Sequence, residues 1–178
     1  MDYASRAGAK LDFALRSFNI DPQGKICADL GCSTGGFTDC LLQAGAAKIY
    51  AVDTGYGVLD WRLRTDSHIV VLERTNALHL SLPELVDLVT IDVGWTPQAL
   101  IIPQALKLLS PAGDIITLVK PHYEAKKAKL TPLESQTVLS SVIAKLESLH
   151  LVVKSTVTSP LLGDKGKNME FLIWIKKS

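Results

Sequence analysis

KICADLGCSTGGFTDCLLQAG, residues 25–45, decides the fold. Its first seven residues are a short apolar run that ends in glycine, as a buried strand does. GGFTDCLLQAG (35–45) then carries helical spacing up to Gly45, a residue suited to ending a helix. Strand, glycine loop and helix make one βα unit. KIYAVD (48–53), HIVVLE (68–73), VDLVTID (86–92) and DIITLVK (114–120) read as four further strands. All are rich in Val, Ile and Leu without strict alternation, the mark of strands covered on both faces in a parallel sheet. Residues 57–64 and 97–109 are helical in pattern. Residues 4–18 form a leading helix with Leu11, Ala14, Leu15 and Phe18 on one side. The stretch 131–149 predicts a long amphipathic helix, with Thr131 as N-cap, Pro132 at the first position and Glu134 completing a capping box. Residues 149–159 and 169–176 predict an antiparallel hairpin at one sheet edge, joined through Gly163 and Gly166. The expected class is α/β, a mainly parallel seven-stranded sheet with helices on both faces and an antiparallel C-terminal hairpin.

The 178 residues suit a single domain over 1–178. With 47% hydrophobic and 21% charged residues, disorder and collagen are excluded. No apolar run approaches the roughly 18 residues of a membrane span. Met1 to Lys10 holds Asp2, Arg6 and Lys10 and no apolar core, so no signal peptide is read and the expected location is the cytoplasm. A net charge of +1 gives the whole molecule no strong field for nucleic acid. A polyanion must therefore meet a local patch, and the segment with Lys120, Lys126, Lys127 and Lys129, holding Glu124 as its sole acid, is the obvious one.

The glycine loop sits where an open α/β sheet holds its ligand, at the carboxyl end of the first strand. Gly31, Gly35 and Gly36 let backbone N–H groups approach a ligand closely, with Ser33 and Phe37 in the same loop. The spacing is G-x-x-x-G-G, not the G-x-G-x-x-G that holds a dinucleotide pyrophosphate. Asp53 ends the second strand 22 residues after Gly31, where a carboxylate can accept both hydroxyls of a ribose. Asp29 can reach a ligand amine directly or through water. Asn76, after the third strand, lies where a base would rest or caps its own loop. A ligand with an adenosine and an amino-acid end but no phosphate fits these features, and S-adenosylmethionine is the expected cofactor.

Asp92 ends the fourth strand and Lys120 the fifth, so their side chains can meet beside that cofactor or form a structural ion pair. The segments SRAGAKL (5–11), DLGCSTGGFTDCLLQAGAAKIYAVDTGYG (29–57), VLERTN (71–76), VDLVTIDV (86–93), LVKPHYE (118–124) and SPLLGDKGKNMEFLIWIKK (159–177) resemble the methyltransferase domain of the haemolysin A/TlyA family. That family is similar to the FtsJ-type ribose methyltransferases, and the likeness runs over nearly the whole chain. The resemblance implies a Rossmann-like methyltransferase fold, S-adenosylmethionine as donor, 2′-O-methylation of ribosomal RNA and hence ribosomal RNA or ribosomal subunits as partner. It also implies a Lys-Asp-Lys-Glu tetrad at Lys10, Asp92, Lys120 and Glu170. A ribose hydroxyl is a weak nucleophile that needs a base and tight positioning. Lys120 is the candidate base. Lys10 as a neighbouring cation would favour loss of its proton, while Asp92 and Glu170 would oppose it, and the net direction stays open. Tyr123 can stack on a nucleotide or pack, with Lys126, Lys127 and Lys129 on phosphate.

Family members begin with a small RNA-binding domain before the segment that here holds Tyr3, Ser5 and Arg6. Since Met1 lies two residues before Tyr3, the expectation is one methyltransferase domain over 1–178, the partner domain being either trimmed away or never present. Arg6-Ala7-Gly8 replaces the family's Arg-Gly-Gly, and Gly94-Trp95 its Ser-Phe. Cys27, Cys32 and Cys40, and His68, His79, His122 and His150, show no metal-ligand spacing, so no metal is expected. A non-catalytic RNA-binding protein of the same fold, or a small-molecule methyltransferase, remains open, the lysine patch favouring RNA.

Overall fold

The computed structural model describes residues 2–163 and 167–177. Seven strands form one sheet in the order β3-β2-β1-β4-β5-β7-β6. They are β1 (Ile26–Leu30), β2 (Lys48–Val52), β3 (Ile69–Leu72), β4 (Val86–Ile91), β5 (Leu109–Val119), β6 (Val152–Thr158) and β7 (Phe171–Lys176). The first five run parallel, and β7 lies antiparallel between β5 and β6. This is the expected architecture, refined in one respect: the C-terminal hairpin enters the sheet so that only β6 forms the edge.

Alternation within buried strands sends side chains into two cores. Ala28 and Leu30 of β1 join Ile101, Ile102 and Ala105 of α4 (Gln98–Leu108) and Val142 and Leu146 of α6 (Pro132–Ser148). Cys27 faces the other side, with Leu11, Ala14 and Leu15 of α1 (Ala7–Phe18) and Phe37 and Leu41 of α2 (Gly36–Gln43). The residue next in phase with Cys27 is Asp29, so a carboxylate is carried beneath α2. The α6 start is as read: Glu134 N–H donates to Thr131 Oγ1 at 3.2 Å, and Thr131 N–H to Glu134 Oε2 at 2.7 Å.

Among the boundaries that differ from the sequence reading, three have a visible local cause. The helix expected over 57–64 is a single turn, α3 (Trp61–Arg64), because Gly57 has φ +68° and Asp60 caps Arg62 N–H at 2.9 Å. Strand β5 starts at Leu109 and not at the expected Asp114, since a bulge opposite Val86–Leu88 absorbs the added Pro111–Gly113 stretch. Strand β6 starts at Val152, three residues late, because His150 has φ +59° and ends the preceding helical turn. Gly166 lies outside the described residues. No described helix is long and apolar enough to cross a membrane.

Candidate active site

The carboxyl ends of β1, β2, β4 and β5 open into two adjoining hollows of about 510 and 420 Å³ that share Gly31, Ser33, Asp92 and Lys120. Because β7 runs antiparallel to β5, its amino end reaches the same rim and brings Glu170 there. Lys10 arrives from α1.

The glycine loop is held by its backbone. Gly31 and Cys32 N–H both donate to Val52 O, at 2.8 and 3.0 Å. Gly31 has φ +85°, and a Cβ there would stand 2.8 Å from the Asp92 carbonyl, so β1 and β4 converge only because the side chain is absent. At Gly36 a Cβ would strike Ser5 and the Gly8 nitrogen, so α1 closes over the loop for the same reason. Asp53 is fixed at the end of β2 by Ser33 N–H at 2.9 Å and Gly55 N–H at 2.7 Å, and it lines the second hollow with Asn76. Asn76 also caps its own turn through Leu78 N–H at 3.0 Å, so it serves both readings.

Lys10 Nζ donates to Glu170 Oε2 at 2.5 Å, both side chains buried. Lys120 Nζ stands 2.5 Å from Asp92 Oδ1, an ion pair without hydrogen-bond alignment. Both pairs line the first hollow. Burial pushes the Glu170 carboxyl up, with Lys10 and then Lys120 pulling against it and Asp92 adding to it, so the two pairs share one field. All four tetrad positions thus come together.

Other expected residues fall differently. Asp29 is fully buried and lines neither hollow. Thr38 Oγ1 donates to it at 2.7 Å and Thr90 Oγ1 at 3.0 Å, and burial pushes its carboxyl up to about 7. Of the two expected routes to a ligand amine, the direct one is closed to Asp29 in this geometry, and its hydrogen bonds tie β1 to Thr38 of α2 and Thr90 of β4 beneath the loop. Gly35 is corrected likewise: it has φ +99° and backs the loop, where a Cβ would strike Leu63, while Gly36 and Phe37 line the first hollow. Lys126, Lys127 and Lys129 are exposed and lie outside both hollows, and Lys127 pairs with Glu134 at 2.6 Å. Tyr123 lines the first hollow, its ring 4.7 Å from that of Trp95, which is 84% exposed. Arg6, Trp95 and His122 line the hollows although sequence reasoning assigned them no role. The strand-end rule that found Lys120 would have reached His122, two residues on.

The family described as FtsJ-like methyltransferase matches residues 3–177. The chain belongs to it. A Bacillus subtilis relative, YqxC, is 40% identical over 182 residues, covering 96% of this chain and 64% of that protein. The 16S/23S rRNA (cytidine-2′-O)-methyltransferase TlyA of Mycobacterium tuberculosis is 40% identical over 186 residues, covering 98% and 68%. A solved Streptococcus thermophilus structure superposes with a TM-score of 0.93 at 36% identity, over 100% of this chain and 68% of that one. The chain therefore spans about two thirds of the length of these relatives.

Proposed function

We propose that this chain uses S-adenosylmethionine to methylate a ribose 2′-hydroxyl of ribosomal RNA. The observation that carries the reading is the meeting of Lys120–Asp92 and Lys10–Glu170 in one hollow that shares a wall with the hollow of Asp53 and Asn76.

The second hollow fits the nucleoside end of the cofactor. Asp53 is held by two backbone N–H groups and retains lone pairs for a ribose diol, and Asn76 stands beside it for the base. The loop Gly31–Gly36 contains no Lys or Arg to claim a phosphate. When bound, S-adenosylmethionine supplies an electrophilic methyl group on a sulfonium. The remaining work falls to this chain. Asp92 holds Lys120 at the shared wall, and once the Lys120 ammonium has given its proton to solvent, the neutral amine takes the hydroxyl proton. The buried Lys10–Glu170 pair braces the opposite wall and orients the sugar. The Trp95 and Tyr123 rings form an aromatic rim on which an unstacked base can rest, as RNA-modifying enzymes require. Lys126 and Lys129 offer phosphate contacts beyond that rim.

The test is transfer of labelled methyl from S-adenosylmethionine to unmodified ribosomal subunits, with Lys120→Ala alongside. The expected product is label in an alkali-resistant dinucleotide, because a methylated 2′-oxygen can no longer attack its phosphodiester, whereas a methylated base is released as a mononucleotide. Label that is alkali-labile, or resides in ribosomal protein, overturns the reading.

A further inference from the structure

His122 lies in α5 (Pro121–Glu124), just beyond the end of β5, and lines the first hollow. The side chain is nine-tenths buried, at 7% exposure, and its Nδ1 is sealed from solvent with no hydrogen-bond partner among the described residues. Buried polar nitrogens are almost always paired, so an orphan in a ligand hollow points to a partner that comes and goes.

The charged groups around it do not fill that role. Lys120 from β5 is held by Asp92 from β4, and Lys10 from α1 by Glu170 ahead of β7. Burial, with the charge of Lys120, holds the imidazole below its ordinary range and so neutral near pH 7. A neutral imidazole has one donor and one acceptor nitrogen, suited to the uncharged groups of a sugar or base rather than to phosphate. Its ring packs 4.2 Å from Tyr123, which continues to Trp95, so it stands at the inner end of the aromatic rim. It is absent from the hollow that holds Asp53 and Asn76.

We infer that the His122 ring turns about its side-chain bonds to bring the sealed Nδ1 into the hollow, where it exchanges a hydrogen bond with the acceptor nucleotide, and so sets affinity for RNA rather than for the cofactor. This rests on the RNA methyltransferase reading above.

His122→Phe keeps the ring and its contact with Tyr123 while removing both nitrogens. The expected result is a KM for ribosomal substrate raised about tenfold, the size of one hydrogen bond lost in a desolvated site. The Kd for S-adenosylmethionine should be unchanged, and Tm no lower, because no intramolecular bond is lost. His122→Asn, whose amide can stand where Nδ1 stood, should recover part of the KM. Comparing substrates that differ only in the acceptor base locates the bond: a penalty that varies with the base lies on its edge, a constant one on the sugar. An unchanged KM, or a lowered Tm, overturns the inference and leaves His122 a packing residue. Absence of transfer by the wild type would sink the methyltransferase reading itself.

Discussion

Replacing Asp29 by asparagine should make the protein more stable, and increasingly so as pH rises. Burial pushes the folded-state carboxyl up to about 7 from an ordinary 3.8. The unfolded chain therefore releases this proton first, and the folded state binds more protons between those values. By linkage, stability falls as pH rises through that window and levels off above it. Weighing the two titrations, the penalty grows by about 2 to 3 kcal/mol between about pH 5 and about pH 8. The substituted amide would be uncharged throughout, and it can still meet the Thr38 and Thr90 hydroxyls, which donate or accept. Urea unfolding of wild type and Asp29→Asn at both pH values isolates this term, since every other titrating group cancels in the difference. The variant's advantage should widen with pH by that amount, equivalent to roughly 5 to 10 °C in Tm. An advantage that does not change with pH, or a variant less stable at about pH 8, would refute the argument that burial dominates at Asp29.

Lys120→Met should reduce methyl transfer by about a hundredfold or more, the scale of a lost general base, with cofactor affinity by calorimetry little changed. Asp53→Ala should weaken S-adenosylmethionine binding by about tenfold or more in the same measurement, through loss of charge-assisted hydrogen bonds. Glu170→Ala strands the buried Lys10 ammonium and should cost about 3 to 5 kcal/mol in urea unfolding. The double variant Lys10→Met with Glu170→Leu should regain most of that stability while remaining inactive.

Local signals were legible in the sequence. The capping box at Thr131 and Glu134 spans one turn, and Asp53 and Asp92 follow directly from where their strands end. Lys10 and Glu170 are 160 positions apart, and nothing in spacing joins them. Only family resemblance picked them out, and the antiparallel return of β7 brings them together. Asp29 was given a ligand amine, directly or through water, from its place in the glycine loop, whereas strand alternation turns it under α2 against Thr38. Trp95 escaped because a lone tryptophan has no periodicity, and His122 because the strand-end rule was stopped at Lys120, two residues short of it. Their meaning depends on Tyr123, which touches both rings.

The position of β7 inside the sheet has a consequence for synthesis. While a ribosome is still making this chain, residues 7–158 can lay down every earlier strand and helix, yet β5 is left with one edge unpaired and β6 without a described strand partner. Strand β7, which emerges after both, takes the place between them and carries Glu170 to Lys10 as it does so. A chain broken off early thus has an open sheet and three of its four tetrad residues. Assembly of the tetrad is in this way tied to the emergence of β7.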